Sequence, residues 1–203
     1  MYMPTLKLLT IQPSARKAWN NHVAEWVACT RCPLGCAATK HVLARGTLPC
    51  DILFIGEAPG ESEDVIGSPF VGPAGKVLDN LIMDTGPRRG SSLAPLDWTY
   101  AISNILACIP RGENGEGFRA PTEEEAKACQ PRLLDLLNIA SPKGIVLLGQ
   151  TAKKYFPSVS EGFSVLELHH PSYLLRNGGA SPRNVHYARA KLQLRKFIQE
   201  VMG

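Results

Sequence analysis

The stretch Asp51-Ile52-Leu53-Phe54-Ile55-Gly56-Glu57-Ala58-Pro59-Gly60-Glu61-Ser62-Glu63-Asp64 decides the fold. Its first residues form an apolar run that reads as a buried strand. Small, turn-forming residues follow, where such a strand would reach the edge of its sheet. Open α/β sheets bind ligands beyond the carboxyl ends of their strands. Glu57, Glu61, Glu63 and Asp64 are therefore placed for chemistry.

Working outward, Ser14 to Ala28 reads as a helix with Trp19, Val23, Trp26 and Val27 at helical spacing. A cysteine-rich loop follows, up to Gly46. On the other side, Pro73 opens a helix that runs to Thr85, with Gly86 as its stop. Pro87 to Pro95 is a loop, Trp98 to Leu106 a strand, and Pro110 to Pro121 a long glycine-containing loop. Thr122 and Glu125 form a capping box for a helix to about Ile139, which Pro131 should end or kink. A strand at Gly144–Leu148, a helix at Gln150–Phe156 and a strand at Phe163–Leu168 come next. The tail, from about Asn184 to Met202, is an amphipathic helix with Tyr187, Leu194, Phe197, Ile198 and Val201 on its stripe. Strands alternating with helices imply an α/β fold, a mainly parallel sheet covered on both faces. Residues 1–203 are expected to form one domain.

The chain has 203 residues, 44% hydrophobic and 20% charged, which supports a sizeable core. A net charge of +4 permits a nucleic-acid partner without demanding one. No apolar run approaches the roughly 20 residues that span a bilayer, and the first nine residues lack a leader pattern. A cytoplasmic monomer with no membrane partner is expected. Six cysteines in a reducing compartment need another reason than disulfides. Cys29-x-x-Cys32, Cys108 and Cys129 make a four-thiolate set that suits zinc or an iron–sulfur cluster, and spacing alone does not choose.

Two further segments stand out. Gly67-Ser68-Pro69-Phe70-Val71-Gly72-Pro73-Ala74-Gly75 continues the acidic loop, and His169-His170-Pro171-Ser172-Tyr173-Leu174-Leu175-Arg176 follows the last strand. Asn104 ends the strand between them. In a parallel sheet all three reach one rim, with carboxylates, an amide, an imidazole and an arginine. Such a set can orient water, read a polar ring and stabilise a leaving anion.

On these residues the chain resembles the uracil-DNA glycosylase superfamily, and within it the iron–sulfur (family 4) branch. Gly56 to Gly60 through Glu63-Asp64 and on to Gly75 is similar to that branch's first motif. Asn104 matches its strand asparagine, His170-Pro171-Ser172 through Arg176 its second motif, and the four cysteines its ligand pattern. The resemblance implies a three-layer α/β/α sandwich with a short, mainly parallel sheet. It implies a [4Fe–4S] cluster on Cys29, Cys32, Cys108 and Cys129, with zinc the alternative, tying residues of about 29–50 to the domain. Cys36 and Cys50 fall outside the pattern, and Cys36 reads as a substitute ligand or a spectator thiol.

The activity implied is that of a monofunctional DNA glycosylase in base excision repair. It hydrolyses the N-glycosidic bond of deoxyuridine in single- or double-stranded DNA, giving free uracil and an abasic site. Phe70 would stack on the flipped base and Asn104 would read its edge. His170 would stabilise the departing anion. Glu63 would activate water, with Glu57 in support, since Ala58 stands where many relatives carry an aspartate. Gly56, Ala58, Pro59 and Gly60 would shape the base site. Ser172 would hold phosphate, Leu174 or Leu175 would wedge into the duplex, and Arg176 would contact the backbone. The loop 110–121 has no histidine for covalent capture, which implies turnover.

Other readings stand beside these. The chain could be a non-catalytic or covalent binder of uracil-containing DNA, or a relative acting on another or modified nucleobase. Glu61 and Asp64 read as solvated or helix-capping, His169 as structural, and His22, His41 and His186 as surface or core residues. The leucine pair could be core, Asn104 a local cap, and Arg111 and Arg119 phosphate contacts or solvated loop residues.

Overall fold

Residues 52–56 form the strand β3 at the middle of the sheet, and every one of them is buried. The computed structural model describes residues 9–85, 96–112, 115, 117–157, 162–181 and 183–203. In chain order the strands are β1 (Thr10–Ile11), β2 (Arg45–Leu48), β3 (Ile52–Gly56), β4 (Tyr100–Asn104), β5 (Gly144–Leu148) and β6 (Ser164–Leu168). Their order across the sheet is β1-β2-β4-β3-β5-β6. All neighbours run parallel except β2 and β4.

The helices are α1 (Arg16–Trp26), α2 (Pro33–Ala37), α3 (Glu61–Ile66), α4 (Pro73–Thr85), α5 (Glu123–Ala140), α6 (Gln150–Tyr155), α7 (Pro171–Arg176) and α8 (Val185–Met202). Successive strand side chains point to opposite faces, so a doubly covered sheet needs apolar residues at every position. Leu53, Ile55, Ile145 and Leu147 pack in one core with residues of α1, α2, α5 and α6. Ile52, Phe54, Val146 and Leu148 pack in a second core with residues of α4, α7 and α8. The result is the expected three-layer α/β/α arrangement with a mixed, mainly parallel sheet.

β1, β2, α2, α3, α5 and α7 differ from the sequence reading, α2 and α3 being short helices in stretches read as loops. β1 and β2 lie in stretches read as irregular, because Arg45-Gly46 shows no apolar alternation; their strand character comes from pairing, β2 with β4 and β1 with β2. α5 continues through Pro131 to Ala140. An interior proline costs about 3 kcal/mol. Leu133, Leu136 and Leu137, each 4% exposed or less, contribute about 1.5–3 kcal/mol apiece by burial. Those leucines outweigh the proline, and the Thr122–Glu125 capping box secures the other end. α7 is a helical turn opened by Pro171 at its first position where a loop was expected.

Gly86, the loop 87–95 and positions 113, 114 and 116 lie outside the described residues. Among the described residues no helix is long and apolar enough to cross a membrane.

Candidate active site

Gly56 and Asn104 are register partners at the carboxyl ends of β3 and β4. A side chain at Gly56 would lie 2.4 Å from Phe70 Cζ and 2.5 Å from Asn104 Oδ1. The missing Cβ thus lets an aromatic ring and an amide flank one narrow gap beside β3, too small for a methyl group. Asn104 is 1% exposed, and its Oδ1 is buried with no hydrogen-bond partner. Buried polar atoms are nearly always paired, so this oxygen is an acceptor waiting for a donor. A local cap role for Asn104 has no bond to support it.

Phe70 has φ of 53°, a left-handed conformation that non-glycine residues rarely adopt. Its surroundings hold it there. Buried Arg45 donates to the Pro69 carbonyl at 2.7 Å and the Phe70 carbonyl at 3.3 Å, and pairs with Asp79 of α4 at 2.6 Å. Glu63 accepts from the N–H groups of Val71 at 2.8 Å, Gly72 at 2.9 Å and Gly60 at 3.1 Å. A Cβ on Gly75 would sit 1.8 Å from the Phe70 carbonyl oxygen. The bond from Gly60, the N-cap of α3, is the return half of a capping box. The sequence reading overlooked Arg45 and Asp79, since an arginine in an unrecognised strand carries no motif.

His170 follows β6 and caps α7. Its Nδ1 accepts the Ser172 N–H at 3.2 Å and lies 2.8 Å from Ser172 Oγ. A nitrogen that accepts a backbone N–H carries no proton, so the ring hydrogen sits on Nε2. Burial, then the charge of Arg176, lowers the His170 pKa to about 4 against an opposing pull from Glu63. The ring is therefore neutral near pH 7, and it lies 5.7 Å from the Phe70 ring. Gly149, after β5, allows this approach: a Cβ there would be 2.9 Å from His170 Cβ.

α7 splits the leucine pair. Leu174 is fully buried in the core, whereas Leu175 is 39% exposed. The helical step of about 100° turns one in and the next out, so of the expected wedge pair only Leu175 reaches the surface. Arg176 is exposed, while Ser172 is engaged with His170.

Asp64 is buried rather than solvated. It accepts from the Thr39 and Lys40 N–H groups and pairs with Arg111 at 3.1 Å. Burial alone would raise its pKa, but these bonds outweigh burial and hold it below the usual carboxylate value. Arg119 grips Glu125 through two nitrogens. Both loop arginines are thus committed within the chain. Glu61 is exposed. Glu57 is half-buried, and among the described residues its carboxylate has no recorded bond. Ala58 packs against the core and Pro59 is buried. His22 is buried against Asp135, His41 bonds the Cys29 carbonyl, and His169 stacks on Tyr173 while His186 meets the same ring edge-on. A cavity lined by Thr85, Trp98, Arg195 and Met202 lies at the amino end of β4, opposite this rim.

The thiols form a second centre. Burial first, then the like charges of Cys129, Cys32 and Cys29, push the Cys108 thiol up to about 12. Cys29, Cys32 and Cys129 thus lie near enough to Cys108 to act on its charge, and a cationic group would stabilise such sulfurs as thiolates. Cys108 is buried and the other three are half-buried against the same core. Among the described residues no three His, Cys, Asp or Glu side chains converge tightly enough for a single metal ion. Cys36 is exposed on α2, and Cys50 is buried with its pKa raised to about 12, chiefly by burial.

The α/β/α fold thus brings an aromatic ring, an unpartnered amide oxygen and an imidazole together at one rim of its sheet. The family described as UDG, the uracil DNA glycosylase superfamily, matches residues 44–195, and the chain belongs to it. It is 37% identical over 172 residues to a type-4 uracil-DNA glycosylase of Thermotoga maritima, covering 77% of this chain and 83% of that protein. It is 39% identical over 142 residues to the type-4 uracil-DNA glycosylase of Sulfurisphaera tokodaii, covering 69% of this chain and 59% of that one.

Proposed function

We propose that the chain is a monofunctional uracil-DNA glycosylase. The observation that carries this reading is the unpartnered Asn104 Oδ1 across the Gly56 gap from Phe70. Uracil presents an N3–H beside the O4 carbonyl, which an amide answers with its oxygen and its NH2. Cytosine has neither group in that form. A duplex hides the base, so the nucleotide must be flipped to reach this gap.

Hydrolysis joins a water oxygen to C1′ as the bond to N1 breaks, and the bonding electron pair leaves on the base. A neutral His170 with its hydrogen on Nε2 can donate to the carbonyl that takes up this charge. Because Glu63 already accepts three backbone bonds, its role here is to pin the Phe70 loop and to set a negative potential near the sugar. Glu57, with no recorded bond, is the carboxylate free to orient water, which reverses their order in the sequence reading. With Ser172 engaged, Arg176 takes the phosphate contact, and Leu175 fills the space the flipped base leaves.

The donor set fits a cysteine-ligated [4Fe–4S] cluster. When bound, it supplies four iron–thiolate links that fasten residues 29–32 to Cys108 and to Cys129 on α5. It thereby ties the segment of about 29–50 into one domain. No electron moves in base excision, so its place is structural.

Single- and double-stranded oligonucleotides carrying one uracil test the activity. Alkali should break the strand at that position after incubation with iron-loaded protein. Intact strands with uracil, and with other bases, would sink the reading. Glu57→Gln should lower kcat by at least about a hundredfold, the scale of general-base assistance, with little change in melting temperature.

A further inference from the structure

Arg132, on α5, is the bulkiest of the fully buried side chains, at 1% exposed. Its Nε donates to Cys129 Sγ at 3.3 Å and its Nη1 to Ser103 Oγ at 3.1 Å. Its Nη2 donates to the carbonyls of Asn104 and of Ile105, the latter at 3.0 Å. Among the described residues, none of these partners is a carboxylate. Buried Arg45, by contrast, has Asp79. Withdrawing a cation from water costs several kcal/mol, and neutral acceptors alone do not offset that. Among the described residues, the one partner of the guanidinium that would become anionic on binding a cluster is the Cys129 sulfur.

The other end of the same guanidinium meets the base site. Past Asn104 the chain leaves β4, with the Ile105 N–H bonded to the Gly56 carbonyl and the Leu106 N–H to the Glu57 carbonyl. The N–H side of this turn is held by the acidic loop, and its carbonyl side by Arg132. Together they fix the peptide that aims the Asn104 amide at the gap. A planar fork can reach two carbonyls and a sulfur at once, which an ammonium cannot.

We propose that Arg132 is a positioning residue that couples the thiolate centre to the base-reading asparagine. The negative charge of the cysteine-ligated cluster stabilises the buried guanidinium, and the guanidinium sets the Asn104 peptide. This rests on the glycosylase and cluster readings above. It adds that the cluster serves base recognition through one side chain, as well as holding the chain together.

The test uses iron-loaded wild type, Arg132→Lys, Arg132→Met, Asn104→Ala, and Asn104→Ala with Arg132→Lys. Three quantities are read: inhibition by free uracil, kcat on a single-stranded uracil oligonucleotide, and the cluster's midpoint potential. Arg132→Lys should weaken uracil inhibition about tenfold, the worth of one hydrogen bond to a charged group, and lower kcat less. In the Asn104→Ala background the same change should matter less than about twofold. Arg132→Met should lower the midpoint potential, because a nearby positive charge is gone, whereas Asn104→Ala should leave it unchanged. A merely structural arginine would not shift the uracil coupling, whereas the potential reports only that the guanidinium lies beside the cluster.

Equal penalties in both backgrounds, or unaltered uracil inhibition, would overturn the link. Failure of both Arg132 variants to give folded, iron-loaded protein would assign the residue to the core alone and overturn it too. Wild type that lacks iron or ignores free uracil would overturn the underlying reading, and this one with it.

Discussion

Gly56 shows how an absent side chain can make a site. Only hydrogen fits where Gly56 meets the Phe70 ring and the Asn104 amide. Gly56→Ala should therefore abolish excision and protection by free uracil, because its Cβ would meet Phe70 at 2.4 Å. The enzyme's pH profile offers a second check at this scale. A His170 pKa of about 4 lies below the ordinary value of 6.5. The group is neutral in the fold above about pH 4, so kcat/KM should show no histidine titration near pH 6.5. The stability sign follows from linkage: between these values the unfolded chain binds a proton that the fold does not, so this contribution falls as pH drops from about 6.5 towards 4. An acid limb near 6.5 that disappears in His170→Asn would contradict the neutral imidazole.

At the scale of elements, α7 separates two roles that adjacent leucines share in sequence. Leu174→Ala removes a side chain with no exposure and should cost about 2–5 kcal/mol of stability. Leu175→Ala should change stability by less than about 0.5 kcal/mol. It should slow excision from duplex more than from single strands, because only a duplex leaves a hole to fill. Equal effects on both substrates would remove the wedge. The motif Leu174-Leu175 marked the segment, but only the helical turn decides which one faces out. The same limit applied elsewhere. β3, α4 and β5 were legible because unbroken apolar runs and helix caps act locally. β1, β2 and the passage of α5 through Pro131 depend on partners distant in sequence. Asn104 and His170 were legible as motif residues. Arg45, Asp79 and Arg132 were not, since a buried arginine shows its purpose only through the carbonyls it reaches.

At the scale of the molecule, the acidic loop is joined to the cysteine-rich segment by one carboxylate. Asp64 of α3 accepts from Thr39 and Lys40 beyond α2 and pairs with Arg111 after β4. It thus links three parts of the chain that carry the base site, the thiols and the loop between them. Asp64→Asn keeps the shape but gives up the charge and presents an NH2 towards donors. It should cost about 1–3 kcal/mol near pH 7, seen as a lower melting temperature. The pH dependence follows from the lowered pKa. The fold binds this proton less readily than the unfolded chain does. The stabilisation is therefore complete above the unfolded value, near 3.9, and is lost as pH falls through the lower folded value. The melting-temperature gap between wild type and Asp64→Asn should stay constant from pH 8 to about 5 and close below about 4. A gap that persisted undiminished in acid would mean that packing, not the buried charge, joins the two centres.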